Sequence, residues 1–118
     1  MGYYSSMIFN DVIHTDYDID TVKSMFKDYI NTIGENNRPY MRIYNFVEES
    51  KGVISIETDD KYVKHYADRE LAEFISKIIK EGHHVKIKFI GEDGTLWGYL
   101  ITKGKVFEIE WIERVITD

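Results

Sequence analysis

The 118 residues contain no cysteine, which excludes disulfides, thiolate metal centres and cysteine nucleophiles. A reducing cytoplasm is the expected compartment for such a chain. Proline occurs once and no long polar tract is present, so there is little material for linkers or disorder. No run approaches the roughly 20 apolar residues needed to cross a bilayer. The opening residues lack a basic segment followed by an apolar stretch, so no secretion signal is expected. Met1-Gly2-Tyr3-Tyr4-Ser5-Ser6 fits the loose N-acylation pattern, and equally an ordinary lead into a first strand. Positive charge is in deficit: 15 basic against 21 acidic side chains give a formal −6. Such a field repels phosphate backbones, so direct contact with nucleic acid is not expected. Catalytic signatures are missing too. There is no G-x-S-x-G elbow, and the loop Gly91-Glu92-Asp93-Gly94 is acidic and unsuited to phosphate.

Aromatic residues are plentiful by contrast, and with 43% hydrophobic residues overall they suffice for one core in a single domain over 1–118. Residues 7–15 (MIFNDVIHT) are rich in β-formers and predict a first strand. Val22, Met25, Phe26, Tyr29, Ile30 and Ile33 recur at helical spacing, with Asp18 or Asp20 as N-cap and Gly34 as the closing glycine. Segments 41–47 and 53–58 predict a hairpin. Residues 59–67 fit a strand extension, a loop or an early helix start. A second helix from about Asp68, its N-cap, carries Leu71, Phe74, Ile75, Ile78 and Ile79 on one face and ends at Gly82. The order β-α-β-β-α-β-β-β predicts an α+β domain with a ferredoxin-like core and a C-terminal meander. Both helices should lie on one face of a single antiparallel-rich sheet, leaving the other face open.

The run VKIKFI-GEDG-TLWGYLIT-KG-KVFEIEWIERVI predicts the meander, from Val85 to Ile116. A two-residue turn at Lys103-Gly104 sets Leu100 opposite Phe107, Gly98 opposite Ile109 and Leu96 opposite Trp111. A four-residue loop at Gly91-Glu92-Asp93-Gly94 sets Phe89 opposite Leu96, Ile87 opposite Gly98 and Val85 opposite Leu100. One face is then wholly apolar and directed at the helices, with Gly98 where a helix comes close. The other displays Lys88–Trp97–Glu110 and Lys86–Tyr99–Glu108 as cross-strand rows. Such rows are self-sufficient as a stabilising ladder. An aromatic centre with a charged rim is also the anatomy of a protein-binding patch. On that view Lys86, Lys88, Trp97, Tyr99, Glu108 and Glu110 meet a protein partner. A homodimer covering the same face is an open alternative.

The histidines are His14, His65, His83 and His84. Adjacent His83 and His84 would point to opposite faces of a strand, and no donor set has metal-site spacing, so no metal or cofactor is expected. The competing function is a small metal-dependent or acid–base enzyme using His65, His83 or His84 with nearby carboxylates. Lys51-Gly52-Val53-Ile54-Ser55-Ile56 imitates the start of an RNA-recognition strand. It offers Val53 and Ser55 where base stacking needs rings.

Two passages carry a resemblance. Met1-Gly2-Tyr3-Tyr4-Ser5 and the later Gly91-Glu92-Asp93-Gly94-x-Leu96-Trp97-Gly98-Tyr99, followed by Gly104-Lys105, resemble small proteins carried by phages and prophages. The resemblance covers about a third of the chain and brings no catalytic residue with it. It implies a phage-encoded, non-enzymatic protein in the host cytoplasm that binds and blocks a host or defence protein, an anti-CRISPR-type inhibitor being one instance.

Overall fold

The computed structural model describes residues 2–111, in which seven strands and three helices form an α+β fold with two antiparallel sheets. Strands β1 (Ser5–Ile8), β5 (His84–Gly91), β6 (Leu96–Thr102) and β7 (Lys105–Ile109) make a four-stranded sheet in the order β1-β5-β6-β7. Strands β2 (Ile13–His14), β3 (Tyr44–Ser50) and β4 (Val53–Thr58) make a three-stranded sheet in the order β2-β4-β3. The expected single strand over 7–15 is therefore two strands serving two sheets. They part at Asn10-Asp11, where the Asp11 carboxylate accepts from the Val12 amide at 2.8 Å and turns the chain. A ferredoxin-like core would set the strands over 44–58 in one sheet with those over 5–8 and 84–91, and here the two groups lie in different sheets. The ferredoxin-like single sheet is thus replaced by two sheets. Among the described residues no helix is long and apolar enough to cross a membrane.

Helix α1 (Ile19–Ile30) begins as its sequence predicts, with the Asp18 carboxylate accepting from the Thr21 amide at 2.7 Å. It ends before Gly34, whose φ of −59° is ordinary for any residue. Other groups satisfy its last carbonyls: the Thr32 hydroxyl donates to Tyr29, and the Arg38 guanidinium donates to Asn31 and Ile33. A 3-10 turn and the four-residue helix α2 (Arg38–Met41) follow, so the strand expected from residue 41 begins only at Tyr44.

Helix α3 (Asp68–Ile78) lies between the sheets rather than beside α1 on one sheet. Its buried residues Leu71, Ala72, Phe74, Ile75, Ser76 and Ile78 span roughly 200° of its circumference at 100° per residue. On one side Phe74 meets Phe26 of α1 and Phe46 of β3, with ring centroids 5.0 and 5.6 Å away. On the other side the helix packs on β6 and β7. Its C-terminal carbonyls are capped by the β6–β7 turn, since the Gly104 amide donates to Ser76 at 2.9 Å and Lys103 Nζ to Lys77 at 2.7 Å. Ile79 leaves the helix and bridges to Thr15, and Gly82 (φ 85°) serves the following turn.

The meander has one register as expected and one shifted. Leu100 faces Phe107 and Gly98 faces Ile109, as a Lys103-Gly104 turn requires. Strand β7 ends at Ile109, so Leu96 and Trp111 are not laddered, and the expected extension to Ile116 lies outside the described residues. Across the other hairpin Phe89 faces Trp97, Ile87 faces Tyr99 and Val85 faces Ile101. The loop is the cause. Gly94 donates its amide to Gly91 at 2.9 Å and takes φ 85°, while Gly91 and Thr95 still pair. This is a type I turn followed by a left-handed glycine, a three-residue hairpin loop and not the four-residue one. One residue of difference exchanges the faces. Trp97 and Tyr99 turn toward α3, and Leu96, Gly98 and Leu100 turn away from it. A side chain at Gly98 would meet the Trp111 ring and the Ile87 carbonyl, so the close approach expected there is made by an indole and a neighbouring strand, not by a helix.

This inversion predicts opposite costs for two phenylalanines. Phe74→Ala should lose about 3–5 kcal/mol in urea unfolding, as a buried ring does. Phe107→Ala, 49% exposed, should change stability by no more than about 0.5 kcal/mol.

Candidate functional site

Asp68 opens α3, where a carboxylate suits the helix dipole, and Ala67 rather than Asp68 stands at the N-cap. Its Oδ2 accepts from Trp97 Nε1–H and from the Tyr99 hydroxyl, both at 2.8 Å. Trp97 stacks on Phe89 with centroids 5.5 Å apart. Burial, reinforced by the bond to Asp68, pushes the Tyr99 phenol well above its ordinary pKa. Both aromatic residues expected on a displayed face are thus held by the helix, and the row they headed is divided. Glu108 stays on their side and accepts from Arg69 at 3.1 Å. Glu110 is exposed beyond the end of β7. Lys86 and Lys88 stand on the opposite face, where Lys88 Nζ lies 5.2 Å from the Trp111 ring centroid. The six residues do not form one surface.

A second buried pair lies beside the first. The Tyr44 hydroxyl and His65 Nδ1 share a hydrogen bond of 2.5 Å, and His65 sits 4.9 Å from Phe89 between ring centroids. His65 Nε2 has no hydrogen-bond partner among the described residues. Burial pushes the imidazole pKa down to about 4 against the pull of Asp68. A neutral, enclosed ring of this kind joins the three-stranded sheet to β5. The other histidines are distant from it: His14 and His83 stack at 4.4 Å, and His84 begins β5. Among the described residues no three histidine or carboxylate groups converge in a way that could hold a metal.

What the inversion exposes is the far face of the four-stranded sheet. Ile8, Ile90, Leu96, Leu100, Phe107 and Ile109 share it by register, and Trp111 folds over Gly98. Phe107 and Trp111 remain exposed. The charged or titratable residues that the strands place on this face are His84, Lys86, Lys88 and Lys105, with no carboxylate among them. The sequence signal for this arrangement was the Glu92-Asp93-Gly94 turn chemistry, in which Asp93 Oδ1 accepts from the Thr95 amide at 3.0 Å and Gly94 supplies the left-handed residue.

No protein-family model, curated protein or solved structure matches the chain. The opening residues and the β5–β6 loop touch one another. β1 pairs with β5 up to Ser5 and Gly91, the Glu92 amide donates to the Tyr4 carbonyl at 3.0 Å, and the Tyr3 hydroxyl donates to Asp93. Tyr3 also covers Gly91 so closely that a Cβ there would collide with its hydroxyl. These residues build one structural corner.

Two outcomes follow for the buried groups. An unfolded histidine titrates near 6.5, so the stability that neutral His65 contributes is fully present above about pH 6.5. It is lost as the pH falls from there through about 4, on the order of 3 kcal/mol in all. Urea midpoints across pH 4–7 should show this slope, and His65→Gln should flatten it. Asp68→Ala, which leaves two buried donors unpaired, should lose about 2–4 kcal/mol, against no more than about 0.5 kcal/mol for Glu108→Ala.

Proposed function

We propose that the chain is a non-enzymatic module that binds another protein through the open face of its four-stranded sheet. The observation that carries this is the composition of that face: Leu96, Leu100, Phe107, Ile109 and Trp111 on a surface whose strand-borne charges, among the described residues, are Lys86, Lys88 and Lys105, with Asp11 at one edge. An antiparallel sheet with a solvated face ordinarily alternates polar with apolar residues. β6 is apolar on both faces, like a strand meant to be covered twice. Contiguous apolar surface of this kind marks interaction sites.

The charge selects the partner. A second copy docking by the same face would bring lysine against lysine, whereas the protein as a whole carries −6. A partner with an apolar ridge bordered by carboxylates meets both requirements. The likeness of the opening and hairpin passages to phage and prophage proteins favours a host or defence protein in the host cytoplasm, with inhibition as the consequence of binding.

The test is affinity capture from cell lysate with the unaltered protein, Phe107→Ser and Lys86→Glu, alongside light scattering of each. A captured protein should bind both variants about tenfold or more weakly while their unfolding midpoints stay near that of the unaltered protein. Full retention by both folded variants, or a stable homodimer that Phe107→Ser dissociates, would overturn the proposal.

A further inference from the structure

A cleft of about 330 Å³ lies between α1 and the start of β3, well apart from the open sheet face. Lys23 and Lys27, one turn apart on α1, and Arg42, which ends α2, line it; Phe26, Ile30 and the ring of Tyr44 form the rest of its wall, with the Asn31 amide at one end. Among the described residues no carboxylate lines it. Four other concavities on this acidic protein each include at least one: Glu108 and Glu110 in one, Asp11, Glu81 and Asp16 in the others. Among the described residues none of the three cations lies within 4.0 Å of an acid; the ion pairs found there belong to Arg69 and Lys80.

The arrangement is unfavourable by itself. Like charges at i and i+4 destabilise a helix, and Arg42 adds a third positive charge across the cleft. The helix dipole accounts for Lys27 in the last turn of α1 and for Arg42 at the end of α2, but not for Lys23. An anion seated among them would reverse the sign of all three interactions. Arg and Lys together suit phosphate oxygens, the guanidinium by paired donors and the ammonium groups as point charges. The apolar wall suits a flat body attached to that phosphate. The volume stands near the lower end of the range of about 300–1,000 Å³ found for small-molecule sites.

We infer that this cleft binds a small phosphate ester with an aromatic body, of the size of a nucleoside monophosphate. Phosphate oxygens meet Lys23, Lys27 and Arg42, and the ring system rests over the apolar floor to which the largely buried Phe26, Ile30 and Tyr44 contribute their edges.

Calorimetric titration of the full chain with AMP, adenosine and inorganic phosphate tests this. AMP should bind saturably, and adenosine and phosphate should each bind at least tenfold more weakly. The double variant Lys27→Gln/Arg42→Gln should weaken AMP binding by tenfold or more with unchanged circular dichroism, and Lys61→Gln, outside the cleft, should leave it unaltered. Absence of saturation at millimolar AMP would overturn the inference, as would equal affinity for phosphate alone or undiminished binding by the folded double variant. A short single-stranded oligonucleotide binding more tightly than AMP would also overturn it, by making the cleft part of a polymer track.

Discussion

One carboxylate oxygen decides which side of the larger sheet faces the core. Asp68 Oδ2 takes hydrogen bonds from Trp97 and Tyr99, residues two apart on β6 and therefore on the same face. Once these rings are committed to α3, the ladder carries the choice outward in both directions. Ile87 and Phe89 are drawn into the core on one side and Glu108 is brought to Arg69 on the other. The opposite parity would set Leu96, Gly98 and Leu100 under the helix and leave Asp68 without either donor. Gly94 makes the same choice locally, because its left-handed conformation closes the loop one residue shorter. Global packing and turn chemistry agree, which is the consistency expected of a foldable sequence.

The sequence made α1, α3 and most strands legible because their patterns have contrast. The apolar stripe of α1 alternates with Lys23, Lys27 and Asp28, and β5 alternates lysine with Val85, Ile87 and Phe89. β6 has no such contrast. Leu96-Gly98-Leu100 and Trp97-Tyr99-Ile101 are both apolar, so period two cannot say which set is buried, and the loop length alone decides. The agreement between the two expected registers carried no independent weight, since either parity of the first hairpin yields a tidy face. The division into two sheets was equally hidden. It depends on β1 finding β5 and β2 finding β4, and neither pairing leaves a local signature. The cleft at Lys23, Lys27 and Arg42 is assembled across α1 and the end of α2, so only the fold brings its cations together.

A second corner of the structure is fixed by contacts between segments far apart in the chain. Gly2-Tyr3-Tyr4-Ser5 and Gly91-Glu92-Asp93-Gly94 are remote in the chain, yet they pair through β1 and β5 and through the Tyr3–Asp93 hydrogen bond. Gly91 must lack a side chain because Tyr3 occupies that space. Asp93 must be free to accept from both Tyr3 and the Thr95 amide, and those bonds hold its carboxyl below the usual range. A motif explained by closing a sheet edge and setting a loop describes a scaffold.

Charge then separates the scaffold's two candidate surfaces from its bulk. The net −6 is a long-range property, felt by a polyanion that spans many screening lengths. At physiological salt the screening length is about 8 Å, so a ligand the size of a mononucleotide responds mainly to the groups lining its own cleft. Lys23, Lys27 and Arg42 can therefore favour a single phosphate on a protein whose overall field discourages nucleic acid. The same reasoning holds for Lys86, Lys88 and Lys105 around the open sheet face. Their charge acts at contact, where it rewards carboxylates on a docking partner, while the acidic remainder of the surface opposes self-association at a distance. An acidic protein that gathers three cations at each of two places is thereby selective in what it admits to each.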